Sequence, residues 1–499
     1  MDESRKEIAS KLLAECGQEH LLTFYEELDS QGKARLVEDI LNCNLEEACR
    51  GFAASSNVEH LSDCDIRPIP SESYICRKEL PDKTLSDYWD TGLLEIVQGK
   101  VAVIVLAGGQ ATRLGGQSPK GMLALGLNVN GNDSLLGLQA SKIRKLEKMA
   151  AEAYPDIAEL GRCKILWYIM TSAATRGDLE QYMTAVIKEH ELSSDQVIFF
   201  DQPSIPCFDY NGKVLLADKF ALSRAPNGNG GLYSAIKQHI PTMRSKGVEY
   251  IHVYCVDNIL CRVADPHFTG MAVRKNLDCA AKVVEKKEPQ EAVGVICQLA
   301  KSDAYTVIEY SELSKEMAEK REEEKLAFRA GNIANHLFHI DLLEKAANEN
   351  HLPYHRANKK IPYIDLEGAQ KVKPTEPNGI KMEKFVFDVF DLSKRFCVWE
   401  VERSQEFSPF KNGADAKKDT LATCCADLIA EHNRWLKNAG INWVRNALVV
   451  SKCSYAGEGL EKYVDAASPG YKGEPLTLVK NMVVFEVPSD RFSEITALE

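Results

Sequence analysis

Apolar residues recur every three or four positions through the first sixty residues, at Ile8 and Leu12, at Leu21, Tyr25 and Leu28, then at Leu36 and Ile40, with polar residues between. That period predicts amphipathic helices packed on a larger body. Residues 61–100 carry Pro68, Pro70 and Pro81 and read as a connector. The pattern then changes. Val101, Val103, Ile104, Val105 and Leu106 belong to an unbroken apolar run rich in β-branched residues, the mark of a strand covered on both faces of a parallel sheet. Leu136, Ile143, Leu146 and Ala150 line one face of a helix that Asn132-Asp133-Ser134 can cap and Pro155 ends. Apolar runs over 163–172, 196–200 and 249–260 predict further strands, with a helix at 175–190 after the first. Strand and helix alternating at this pitch mean βαβ units and an α/β, mostly parallel sheet. After a helix at 420–438 the remaining chain leans toward β patterning. The expected division is a helical region and connector over 1–95, an α/β domain over 96–400 and a C-terminal domain over 401–499.

Three loops stand out against this pattern. The strand at 101–106 runs into Gly108-Gly109 and then Gly115-Gly116, with Arg113 and Lys120 nearby. Open backbone amides and fixed cations at the carboxyl end of a strand suit a polyphosphate. This is neither a P-loop, since Lys120 follows proline and precedes glycine, nor a dinucleotide fingerprint, whose glycine spacing is absent. The second loop, Asn227-Gly228-Asn229-Gly230-Gly231, precedes helical residues and would leave amides open at a helix N-terminus. The third is Asp257-Asn258, where a carboxylate at a strand end is a natural ligand for Mg²⁺ or a ribose.

Composition narrows the class. A hydrophobic share of 44% with 27% charged residues is that of a soluble globular protein, and no apolar run approaches the ~20 residues of a membrane span. The N-terminus lacks a signal-peptide core, so a cytoplasmic location is expected. Fifteen cysteines without a C-x-x-C suggest neither a zinc site nor a disulfide framework, and Cys424-Cys425 read as small buried hydrophobes. His336 with His339 and His351 with His355 lack an acidic third ligand at metal spacing. A net charge of −12 speaks against nucleic acid as a partner. It also means that a polyanionic substrate would need cations focused in a cleft, helped by a divalent ion.

The stretch LAGGQATRLGGQSPKGM (106–122) resembles the signature of eukaryotic UDP-N-acetylhexosamine pyrophosphorylases, LAGGQGTRLG followed by PKG, departing from it at Ala111. GNGGLY (228–233), VDN (256–258), VGVIC (293–297), VIEYSEL (307–313), AGNIANHLF (330–338), NGIKMEKFVFDVFDLSKRF (378–396) and VERSQEFSPFKN (401–412) continue the likeness, as does SYAGEGLE from Ser454. The stretch after Lys411 departs from the family, keeping little beyond Asp419-Thr420. The resemblance implies a Rossmann-like, mixed but mostly parallel sheet of the nucleotide-diphospho-sugar transferase type, flanked by helices, with a helical N-terminal part and a small β-rich C-terminal domain able to join two copies as a homodimer. It implies that UTP and N-acetylglucosamine 1-phosphate become UDP-N-acetylglucosamine and pyrophosphate, with Mg²⁺ or Mn²⁺ held by Asp257. Leu106, Ala107, Gly108 and Gly109, with Gln202 and Gly228, would receive the uridine nucleotide, although the family's Gln-Gln-Gly is Asp201-Gln202-Pro203 here. Asn229, Gly294, Glu309, Tyr310 and Asn332 would contact the sugar. Arg113 is assigned to the β- and γ-phosphates, Lys120 to the α-phosphate and Lys411 to the sugar phosphate. The same chemistry on N-acetylgalactosamine 1-phosphate or glucose 1-phosphate, and a non-catalytic homologue that only binds nucleotide sugars, are the alternatives.

Overall fold

The computed structural model describes residues 2–55, 63–109, 118–127, 133–349, 352–441, 447–461 and 484–486. Along the chain run α1 (Asp2–Cys16), α2 (Ser30–Asn42), α3 (Leu45–Ser55), β1 (Ile66–Arg67), β2 (Tyr74–Cys76), α4 (Asp82–Val97) and β3 (Val101–Leu106). These are followed by α5 (Leu135–Ala153), β4 (Leu166–Thr171), α6 (Arg176–Glu189), β5 (Val197–Asp201), α7 (Leu232–Ile236) and β6 (Tyr250–Cys255). Next come α8 (Pro266–Arg274), β7 (Cys279–Glu285), β8 (Val295–Leu299), β9 (Tyr305–Ile308), β10 (Ala330–His339), β11 (Phe396–Val401) and α9 (Leu421–Asn438). The helices and strands anticipated around the three loops are therefore present, with bounds shifted by a few residues.

The chain forms two compact units, each assembled from three separated stretches. The larger comprises Asp63–Asp201, Gln238–Lys345 and Phe390–Glu499. It holds an eleven-stranded sheet with the main order β2-β11-β7-β10-β6-β3-β4-β5, and β8 connects β10 to β1 and β9. Pairs β6–β3, β3–β4, β4–β5, β7–β11 and β2–β11 are parallel. β10 runs antiparallel to both β6 and β7, so the strands on either side of it point the same way. Asp257, Gly108 and the residues after β7 and β11 thus follow carboxyl ends on one edge of the sheet, where open α/β sheets bind ligands.

Every residue of β3 and β4 is buried, as the apolar runs require. One face packs on Leu136, Ile143 and Leu146 of α5 and on Leu428 and Leu436 of α9. In the same unit α4 and α8 touch backbone to backbone. A Cβ on Gly92 would lie 2.1 Å from Pro266 O, and one on Gly270 would lie 1.8 Å from Tyr88 O. At the C-terminal end the described residues add one antiparallel pair, Ala447–Val449 with Val484–Glu486.

The smaller unit comprises Met1–Ser62, Gln202–Lys237 and Ala346–Val389. Its core joins Ala9, Leu13, Leu36 and Ile40 of the first two helices to Phe208, Val214, Leu216, Ile380 and Met382. Here the expected phase of α1 needs correcting. Ala9 and Leu13 face the core and Ile8 is 56% exposed. Leu12 and Cys16 pack on the same core at partial burial, so only Ile8 leaves the expected stripe.

Candidate active site

In the larger unit, pairing continues one residue past β3, with Ala107 N donating to Met170 O at 2.9 Å. Ser172 Oγ then donates to Gly108 O at 3.1 Å. Gly109 follows with an ordinary φ, and a Cβ there would meet no atom of the described residues within 4 Å. The packing of the described residues does not demand glycine at 109. Arg113 and Ala111 lie outside the described residues. Where the chain returns, Pro119 leads into a single turn over Lys120–Met122, and Lys120 N donates to Gly109 O at 3.4 Å.

Lys120 is one of three charged groups around the end of β6. Its Nζ donates to Phe410 O at 3.2 Å and stands 3.8 Å from Asp257 Oδ2, both side chains being less than a fifth exposed. Phe410 N donates to Asp257 O at 2.9 Å, which sets Lys411 next along. The Lys411 and Asn412 amides both donate to Asp419 O at 2.9 Å. Thr420 caps α9 by accepting from Thr423 N. Asp419-Thr420, the pair kept after Lys411, therefore holds the backbone of that lysine. Burial pushes the thiol of Cys255 up to about 12; Asp257 adds to this, while Lys411 and Lys120 oppose it, so all three charges act on one strand end.

Three of the four residues assigned to the sugar in this unit also meet. Asn332 N donates to Gly294 O at 2.8 Å, and a Cβ on Gly294 would lie 3.2 Å from Glu309 Oε1. Tyr310 follows, 51% exposed. The Asn332 carboxamide is oriented by Ala334 N, which donates to its Oδ1 at 3.1 Å. His336 Nε2 lies 3.1 Å from the same oxygen. Burial, and then His252, drive the pKa of His336 down to about 3, so its ring is neutral and Nε2 carries the proton toward Oδ1.

In the smaller unit Gln202 Nε2 donates to Gly228 O, joining two residues assigned to the uracil. The Asn-Gly loop differs from the expectation of open amides. Asn227 N donates to Pro203 O, Gly230 N to Lys384 O and Gly231 N to Gly228 O. Asn229 Oδ1 accepts from Val386 N at 2.9 Å, which leaves Nδ2 as the end that can meet a ligand. The helix behind the loop is only Leu232–Ile236. The loop is folded onto residues 384–386, a partner its own sequence does not announce.

Among the described residues no group of three or more His, Cys, Asp or Glu side chains is assembled for a metal. Asp257 offers one carboxylate beside a lysine. That fits Mg²⁺, which takes most of its ligands from phosphates and water, and does not fit a cation caged by protein alone. Asn258 and Glu406, whose bonds hold the 406–411 segment to the end of β6, were missed in the sequence; the only signal was an Asn beside the marked Asp257.

Residues 45–451 match the model of the family described as UTP–glucose-1-phosphate uridylyltransferase. A probable UDP-N-acetylglucosamine pyrophosphorylase of Caenorhabditis elegans is 43% identical over 453 residues, 89% of this chain and 92% of that one. The UDP-N-acetylglucosamine pyrophosphorylase of Saccharomyces cerevisiae is 40% identical over 464 residues, 89% of this chain and 91% of that one. The crystal structure of the uridine diphosphate N-acetylglucosamine pyrophosphorylase of Trypanosoma brucei in complex with inhibitor superposes with a TM-score of 0.78 at 26% identity, over 93% of this chain and 95% of that one. With a sheet edge that gathers a glycine-rich turn, two lysines and a carboxylate, and with relatives matched along nearly their whole length, the chain belongs to the UTP–glucose-1-phosphate uridylyltransferase family.

Proposed function

We propose that this enzyme transfers a uridylyl group from UTP to N-acetylglucosamine 1-phosphate, giving UDP-N-acetylglucosamine and pyrophosphate. The observation that carries this is the meeting of Lys120, Asp257 and the Lys411 segment at one strand end. The sugar phosphate is already an anion, so no base is needed to generate the nucleophile. Its oxygen attacks the α-phosphorus in line, and pyrophosphate leaves on the opposite side. The work left to the protein is alignment and charge stabilisation.

Lys120 is the residue we assign to the α-phosphate and to the charge that grows there in the transition state. Lys411 steadies the sugar phosphate, and Arg113 the leaving β- and γ-phosphates. Asp257 would hold Mg²⁺ or Mn²⁺ together with the substrate phosphates, and the ion would supply neutralisation of phosphate charge. Leu106, Ala107, Gly108, Gly109, Gln202 and Gly228 take the uridine nucleotide. Asn229, Gly294, Glu309, Tyr310 and Asn332 take the amino sugar, its hydroxyls meeting carboxamide and carboxylate oxygens. No helix of the described residues is long and apolar enough to cross a membrane. A cytosolic place of work and a homodimer belong to the same proposal, and sedimentation velocity tests the second.

The deciding experiment is pyrophosphate release with UTP, Mg²⁺ and, in turn, N-acetylglucosamine, N-acetylgalactosamine and glucose 1-phosphates. Preference for the first is the expected result. Turnover of glucose 1-phosphate alone would overturn the sugar assignment. UTP binding without turnover of any of the three would make the protein a nucleotide-binding homologue.

A further inference from the structure

Asn258 is 5% exposed and immediately follows Asp257. Its carboxamide uses both ends. Nδ2 donates to Glu406 O at 2.7 Å, while Oδ1 accepts from Ser408 N at 2.9 Å and from Leu260 N at 3.3 Å. The backbone adds two stitches on either side, Ile259 N to Ser408 O at 3.2 Å and Phe410 N to Asp257 O at 2.9 Å. Residues 406–410 form no regular strand, so these few bonds set their register against the end of β6.

The far end of the segment is anchored separately. Lys282 Nζ donates to Asp265 Oδ2 at 2.6 Å and to Glu406 Oε2 at 2.5 Å, all three side chains being 1% exposed or less. Arg262 Nε lies 3.5 Å from Glu406 Oε1. Burial alone would raise the Glu406 carboxyl, but Lys282 and then Arg262 hold it below its ordinary value, so it stays an anion. Ser408 Oγ donates to Asp427 of α9 at 2.6 Å. The segment is thus pinned by side chains from below, and among the described residues the Asn258 side chain ties its backbone at 406 and at 408 to the end of β6. Both a donor and an acceptor are required at this position. A carboxylate cannot donate to Glu406 O, and a methyl side chain leaves buried polar groups without partners.

We propose that Asn258 is a positioning residue for uridylyl transfer: it sets the register of the 406–411 segment, and so the reach of Lys411, against Asp257 and Lys120. The assignment rests on the catalytic reading given above. An error of about 1 Å in placing a group that acts on the transition state costs on the order of 10²-fold in rate. Substrate binding spread over many other contacts changes much less.

The test is a double-mutant cycle on the full-length protein with Asn258→Asp and Lys411→Ala, measuring kcat, the KM for UTP and the unfolding midpoint. Asn258→Asp keeps the size and both acceptor bonds and replaces the donor to Glu406 O with an oxygen. We expect kcat to fall by about 10²-fold with the KM for UTP within about threefold of wild type. We also expect the double variant to be no slower than Lys411→Ala alone, because Asn258 acts through that lysine. Unchanged kcat in Asn258→Asp, or losses that multiply in the double variant, overturns the proposal. Wild-type kcat in Lys411→Ala sinks the assignment of Lys411 itself and this proposal with it, which separates the two failures. If Asn258→Asp does not fold, Asn258→Ser keeps a donor and an acceptor on a shorter arm and enters the same cycle with the same expectations.

Discussion

The two glycine-rich loops are alike in sequence and opposite in physical logic. In the Asn-Gly loop the protein's own packing demands the glycines. Gly228 has φ +84°, and a Cβ there would lie 2.3 Å from Lys384 O; one on Gly230 would lie 2.7 Å from Phe385 O. After β3, Gly109 has neither a positive φ nor a described neighbour within 4 Å. One loop spends its glycines on approaching another piece of the same chain. In the other, no described residue forces the glycine at 109. Glycine content alone therefore does not say what a loop's glycines answer to; what a Cβ would strike does.

Acid gives the largest expected effect, and it falls on the unit that carries the second kind of loop. His252, His336 and His432 are buried there and held neutral. Burial first, then Lys282 for His252, His252 for His336 and Lys142 for His432, bring their pKa values to about 4, about 3 and about 3, from an ordinary 6.5. Their folded pKa values are depressed, so the unfolded chain binds protons first as pH falls. Their stabilisation is complete above pH 6.5 and is lost on the way down toward the folded values. Each adds about 1.4 kcal/mol per pH unit to the slope in that window. Hydrogen exchange at pH 7 and pH 5 should show the sheet losing protection on acidification; an unchanged sheet would refute the buried neutral state.

Next in size is chemistry without unfolding. Lys120→Ala should lower kcat by about 10²–10³-fold while the unfolding midpoint holds, as for the loss of one preorganised donor; a loss below about tenfold would remove Lys120 from the reaction. Gly228→Ala should act on stability as well as on the nucleotide contact, costing roughly 3 kcal/mol from strain at positive φ together with overpacking. Denaturant unfolding reads it. The smallest effect sharpens the contrast most. Gly109→Ala should change stability by less than about 0.5 kcal/mol yet raise the KM for UTP by about tenfold, or 1.4 kcal/mol. Equal destabilisation by the two glycine substitutions would erase the distinction.

Much of the sheet was legible because fully covered parallel strands write themselves as unbroken apolar runs, as at Val101–Leu106 and Leu166–Thr171. The antiparallel insertion of β10 was not, since pairing direction leaves no mark in a run such as AGNIANHLF. At the site, Lys120 and Asp257 could be named from their loops at strand ends, and Lys411 from the family resemblance. The bonds that hold them could not. Lys282, Asp265 and Glu406 look like surface residues in a sequence, because charge is read as exposure until a partner of opposite sign is seen. The amides of the Asn-Gly loop looked open for a related reason, as their acceptors lie at Pro203 and Lys384.

The interleaving of the two units also bears on how the protein comes into being. The helices that open the chain bury Leu13, Leu36 and Ile40 against Phe208, Ile380 and Met382. During synthesis these helices emerge early, but their last partners appear more than three hundred residues later, on the order of tens of seconds at ribosomal speeds. Until then their apolar faces are covered only in part, by one another and, once made, by Phe208, Val214 and Leu216. The nascent chain therefore carries an unfinished hydrophobic surface until those residues are made, and chaperones that bind such surfaces should engage it before residue 382 is made.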